Sequence, residues 1–352
     1  DQQWLKAMRT YNAEDRHSPK DHLKGGAFQL SSELEKATKS EPKRFAALAC
    51  TFTSEYHTCY FDAVLRGLKE SCAGGDEIYP VVRHFFSLPG KPGSRWMSTP
   101  IGKLRAEEIP DDILSIVGWL ATESNDPEPD KLLVHSGKEG DRPSPHDLVS
   151  SAINCTRGSA ASAVGELLFE DSRRKNIFLP YLERMVRDQS VAVRTTVAEA
   201  VLGLFKHDES CAVELFHELC DMPCDELLAT PEVSQFMRYA QYRHYGDLRP
   251  IMERMIHSES EKVRETGAKH LALAQFRHVE AIPLVEQCMN GDSALRMGVA
   301  QVAEVNVFHV DCYPFCSRAL TRLFNDPVKE IRNEASDCFR RAEGRDLDTC
   351  RD

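Results

Sequence analysis

Five arginines recur at near-constant spacing: Arg157, Arg194, Arg264, Arg296 and Arg332, separated by 37, 70, 32 and 36 residues. The 70-residue step is two periods with one degenerate copy inside it. Around each arginine the same pattern returns. The residue before it is Thr156, Val193, Val263, Leu295 or Ile331. Four positions after that residue stand Ala160, Val197, Gly267, Val299 and Ala335, and eight after it Val164, Val201, Leu271, Ala303 and Phe339. Such spacings put the three positions on one helix face. Five residues before the first position stand Ser151, Asp188, Ser258, Asn290 and Asp326, all helix N-cap types. A fixed period of this length marks a stacked array of short helical units, none of which can bury its apolar face alone.

The array takes the form of helix pairs. A short amphipathic stretch at 178–187 precedes an arginine-bearing stretch at 191–205, and the pairing returns at 248–257 with 261–276, 281–289 with 293–305, and 312–324 with 328–342. The row at 222–246 is irregular; Met237-Arg238 best fills its arginine position, with steps of 44 and 26. The turns Asp188-Gln-Ser-Val-Ala-Val-Arg194 and Asn325-Asp-Pro-Val-Lys-Glu-Ile-Arg332 resemble those of HEAT repeats, and the resemblance covers 153–342. It implies an all-α fold, an α-α superhelix of HEAT-like or armadillo-like type.

The front of the chain is less regular. Helical periodicity appears at 28–37, 44–51 (with Pro42 near its start), 60–68, 78–86 and 113–121, and no strand alternation appears anywhere. Two stretches are loops by composition, 88–100 and 123–145. The expected organisation is an irregular helical region at 1–122, a Pro-rich loop or insertion at 123–150, the repeat array at 151–342 and a polar tail at 343–352.

A hydrophobic content of 41% is enough for a core, and a net charge of -11 disfavours sequence-independent nucleic-acid binding. No apolar run is long enough to span a membrane and no signal peptide opens the chain, which points to the cytoplasm. The start at Asp1 suggests an excised piece of a longer polypeptide. The 12 cysteines lack a disulfide-like spacing and fall mostly in helical stripes, as Cys338 does, where they serve as small hydrophobes.

Five arginines at equivalent positions argue for architecture: each stem lies on apolar surface while the guanidinium bonds to caps or carbonyls of an adjacent unit. The strongest local oddity is Arg238, Tyr239, Tyr242, Arg243, His244 and Tyr245, inside the irregular row. Basic side chains interleaved with aromatic ones can grip a peptide or stack bases. The same tyrosines can instead fill a distorted interface with their hydroxyls in water. Asn154-Cys-Thr-Arg-Gly158 opens a helix and is a weak anion-binding candidate, since no phosphate-loop Lys-Ser/Thr follows. The small residues after it suit close helix approach. Cys220/Cys224 and Cys312/Cys316 lie too far apart in an array to share a metal, His217-Glu218 is a single pair, and His270 reads as a satisfied core group. No catalytic, cofactor or metal constellation emerges.

A second, looser resemblance rests on Trp4-Leu-Lys-Ala-Met8, Gly25-Gly-Ala-Phe-Gln-Leu30, Pro42-Lys-Arg-Phe45, Tyr60-Phe-Asp-Ala-Val-Leu-Arg-Gly-Leu68 and Ile153-Asn-Cys-Thr-Arg-Gly158. These look like helical regions of very large bacterial ATP-binding proteins of defence type, which carry their nucleotide module elsewhere in the chain. The resulting expectation is a non-enzymatic interaction scaffold or sensor, bound to a protein or to another domain of its own polypeptide. The alternative is nucleic-acid binding in the manner of HEAT-like DNA-repair glycosylases.

Overall fold

Helical periodicity becomes helix throughout. The computed structural model describes residues 1–12, 25–128 and 143–342, and among these there are 18 α-helices and no strand. In chain order they are α1 (Gln2–Thr10), α2 (Ala27–Ser40), α3 (Pro42–Ala49), α4 (Thr58–Glu70), α5 (Gly75–Ser87), α6 (Ser94–Lys103), α7 (Asp111–Glu123), α8 (Pro145–Ile153) and α9 (Thr156–Glu170). They continue as α10 (Lys175–Met185), α11 (Val191–Phe205), α12 (Glu209–Cys220), α13 (Pro231–Ile256), α14 (Glu261–Ala274), α15 (Ile282–Asn290), α16 (Ser293–Asn306), α17 (Tyr313–Leu323) and α18 (Lys329–Ala342). Prolines stand in the first turn of α3, α13, α15 and α17, where the missing N–H costs nothing. No helix is long and apolar enough to cross a membrane among the described residues. Both expected loops are partly helical, since α6 begins at Ser94 within 88–100 and α8 at Pro145; the stretch 129–142 and the tail 343–352 lie outside the described residues.

The chain forms two compact units, Asp1–Val134 with Leu148–Leu215, and Phe216–Asp352 with His135–Asp147. In the first, Phe52, Phe61 and Phe85 form an aromatic centre, with the Phe61 and Phe85 rings 4.7 Å apart, and α9 packs against α6, α7 and α11. The α9–α11 crossing is close because both helices present glycine. A Cβ on Gly203 would lie 2.6 Å from the Gly165 carbonyl oxygen. In the second unit, Phe216 stacks on Phe236 at 4.0 Å, and α14 packs between α13 and α16, with α18 beyond α16.

The arginines tie successive turns together. Arg157 donates from Nε to Asp188 Oδ2 (2.7 Å) and from Nη2 to Asp188 Oδ1 (3.2 Å), in a pair nearly closed to solvent. Arg296 does the same to Asp326, at 2.6 and 3.2 Å. Arg264 Nε stands 2.7 Å from Asp292 Oδ2 in an ion pair whose N–H points off that oxygen. Four of the five reach back to their own turn: Arg194 to the Asp188 carbonyl (2.7 Å), Arg264 to Ser258 (2.7 Å), Arg332 to Asp326 (2.6 Å), and Arg296 to Gly291. Arg264 and Arg296 thus each hold a carbonyl of their own turn and face the carboxylate of the next.

Three details depart from the sequence expectation. The caps fall two residues late: Ser190 and Asp292 accept from the N–H groups of Val193 and Leu295, whereas Ser151 lies inside α8. Asp188 and Asp326 accept instead from Ser190 and Val328 within the turn, which frees an oxygen to receive the arginine. Phe339 is 65% exposed and stacks on Phe324, while Cys338 takes the inward place. Position eight is covered only where a neighbour flanks both sides of a helix, and position seven lies closer to the centre of the buried face. Finally, 248–257 is no separate helix but the C-terminal half of α13.

Candidate partner-binding groove

The irregular row is a fusion. Helix α13 runs unbroken in hydrogen-bonding sense but bends at His244 (φ -117°, ψ 31°). Pro250 explains the place of the bend, because its ring crowds the carbonyl four residues earlier, at Gly246. The half before the bend is the second helix of the missing row; the half after it is the first helix of the next.

Two histidines reveal the register of that half. His207, just past α11, places Nε2 2.9 Å from the Leu168 carbonyl oxygen; His278, just past α14, places Nε2 2.9 Å from that of Gln241. The residues before them match as well. Lys206 Nζ lies over the Phe169 ring at 4.2 Å and the Arg277 guanidinium over the Tyr242 ring at 5.3 Å. Gln241 therefore stands where Leu168 stands, Tyr242 where Phe169 does, and Arg238 where Gly165 does. The same register puts the missing arginine position at buried Thr230, not at Arg238, with steps of 36 and 34 residues.

Where the first unit closes its helices over Gly165 and Gly203, the second has Arg238 and Ala274, and a groove opens. It encloses about 510 Å³. Arg238, Gln241 and Tyr242 line it from α13; Leu273, Ala274, Phe276, Arg277 and His278 from the end of α14 and the turn after it; Asn306, His309, Asp311 and Cys312 from the end of α16 and the turn after it. His278 in its lining is held by the Tyr245 ring stacked on it, with centroids 4.8 Å apart.

The six side chains singled out from the sequence divide. Arg238 and Tyr242 are exposed neighbours one turn apart and enter the groove. Tyr239 and Arg243 are exposed but do not line it. His244 sits at the bend, its Nδ1 3.1 Å from Asp247 Oδ2. Tyr245 is buried, and its hydroxyl reaches neither water nor a partner, contrary to the expectation for these tyrosines. Burial pushes that phenol up from its ordinary range.

Arg238 makes no hydrogen bond or ion pair among the described residues, and Arg277 makes none beyond its contact with the Tyr242 ring. Asp311 is the one carboxylate in the lining. Gln241 is 4% exposed and its Oε1 has no hydrogen-bond partner. Behind α13, His270 is equally buried with neither ring nitrogen bonded, so it is not the satisfied group expected. Burial lowers its pKa to about 4, helped by the charges of Lys269 and Arg238.

The other candidate places are occupied by the chain itself. Asp126 accepts from the Thr156 N–H and hydroxyl at 2.7 and 2.8 Å, so the start of α9 already holds a carboxylate. Cys224 donates to Glu226, and no group of three metal-ligating side chains converges among the described residues. Sequence reasoning missed Arg277, His278 and His309, although Phe205-Lys-His207, Phe276-Arg-His278 and Val307-Phe-His309 recur at the ends of second helices. It also missed Arg254, which braces the irregular row through Asp225 Oδ1 (2.8 Å) and the Cys220 and Met222 carbonyls. No protein-family model matches the chain, and no curated protein matches it.

Proposed function

We propose that this chain is a non-enzymatic interaction module, a HEAT-like helical array that holds a partner protein, or another domain of its own polypeptide, in the cytoplasm. The observation that carries the reading is the groove at the fused row: two guanidinium groups without carboxylate partners, exposed tyrosines beside them, and an opening where the equivalent place in the first unit is packed shut. Repeat arrays bind on the extended surface that the stacked units present, and this groove lies on such a surface. The acidity of the whole chain weighs against the nucleic-acid alternative.

The test is paired affinity capture from the native host with wild type and with an Arg238→Glu/Arg277→Glu variant of matched thermal stability. A species captured by the wild type and lost with the variant supports the reading. Identical captures from both would remove the groove from the function.

A further inference from the structure

We infer that the groove of the second unit recognises an acidic peptide segment, with a side-chain carboxylate held between Arg238 and Arg277 and a backbone N–H donated to Gln241 Oε1. The inference rests on the interaction-module reading above and gives it a ligand chemistry.

Three observations lead there. Guanidinium groups are forks that match carboxylate geometry, and these two line one groove with Tyr242: Arg277 lies over its ring, and Arg238 is one helical turn before it. Elsewhere the repeated arginines are satisfied within the array, as Arg157 and Arg296 are by aspartates. Against two unpaired cations the groove offers one exposed acid, Asp311, so it is electropositive in a chain of net charge -11. The second observation is Gln241. Its counterpart in the first unit is Leu168, an apolar residue that the architecture accepts, whereas a buried amide oxygen without a donor is costly. That oxygen is closed to solvent as the side chain stands, and a turn of the amide, which lines the groove, brings it to a ligand N–H. The third is size: about 510 Å³ lies within the range of preformed ligand sites and holds a few residues of chain. A peptide supplies an anion and an amide N–H on neighbouring atoms; a bare inorganic anion does not.

The experiment is fluorescence anisotropy on the full chain with a labelled peptide of alternating Glu and Gly, and with its Gln counterpart. The Glu peptide should bind, at least tenfold more tightly than the Gln peptide, and should weaken as salt is raised. Arg238→Gln and Arg277→Gln should each weaken binding roughly tenfold or more, the range for a charge-assisted hydrogen bond. Gln241→Leu, which installs the first unit's residue, should weaken it while leaving the melting temperature unchanged or raised. Equal binding of the two peptides, or wild-type affinity in both arginine variants, overturns the inference. So does displacement by inorganic phosphate or a nucleoside monophosphate at concentrations equal to the peptide, which would mark a small-anion site. If host-partner capture survives Arg238→Gln/Arg277→Gln but is lost on Tyr239→Ala/Tyr242→Ala, the interaction module stands and the acidic chemistry falls. If no partner is captured at all, both fall.

Discussion

Replacing Arg157 by Met should destabilise the first unit far more than its place in the first turn of α9 suggests. The side chain is 11% exposed and Asp188 is 8% exposed, so the substitution leaves a carboxylate charged and largely out of water. Breaking a buried pair from one side costs about 3–5 kcal/mol. The Ser190 N–H stays on Asp188 Oδ1 at 2.8 Å and offsets part of that, which favours the low end, about 3 kcal/mol. The carbonyl of Ser124 also loses its 2.8 Å donor from Arg157 Nη1. For a unit of about 200 residues this corresponds to a fall in melting temperature of roughly 6–12 °C. Differential scanning calorimetry of the whole chain reads it as a shift of one transition. The decisive partner is Arg157→Met/Asp188→Leu: no buried charge is then left unpaired, and although the Ser190 N–H and the Ser124 carbonyl lose their partners, part of the loss should return. Arg332 binds only carbonyl oxygens of its own turn, at 2.6 and 3.0 Å, and Arg332→Met should cost about 1 kcal/mol. A single Arg157 variant melting within a degree of wild type, or a double variant whose loss is the sum of the two singles, would refute the bracing argument.

Two further expectations concern packing and charge. His270 has its pKa lowered from 6.5 to about 4 by burial, with Lys269 and Arg238 adding to it, so between those values the unfolded chain binds a proton that the folded one refuses. Its contribution is fully present above pH 6.5 and is lost as pH falls toward 4, by on the order of 3 kcal/mol; chemical denaturation across that window should show wild type losing stability relative to His270→Leu, and parallel curves would refute it. Gly203→Ala places a methyl 2.6 Å from the Gly165 carbonyl oxygen and should cost about 1–3 kcal/mol in a circular-dichroism melt, whereas unchanged stability would mean that α9 and α11 separate freely.

How much of this was legible depended on how local the record is. A buried helix face leaves its period in the sequence, so Thr156, Val193, Val263, Leu295 and Ile331 all prove buried, and the column of arginines beside them is visible by spacing alone. Cap chemistry is less local, because Asp188 can serve an N–H two residues on or an arginine one unit away, and spacing does not say which. Phe339 and Cys338 compete for one inward place, and the neighbours decide between them. The groove is the least local of all. It joins α13 to two later turns, and Arg238 and Tyr242 were noticed only because basic and aromatic residues happen to cluster there.

What gives that cluster meaning is the register, and the register became available only from two hydrogen bonds, His207 to Leu168 and His278 to Gln241. Aligned this way, three of the differences between the rows fall at the helix crossing. Glycine becomes Arg238, glycine becomes Ala274, leucine becomes Gln241. Each of these three changes works against packing, since two add bulk at a close crossing and one buries an amide. A helix pair that served architecture alone would gain from reverting them. Their joint presence on one groove, with Arg157, Arg264 and Arg296 of the repeated column already facing aspartates, is therefore the reason to assign this place, rather than the repeated column, to the binding of another molecule.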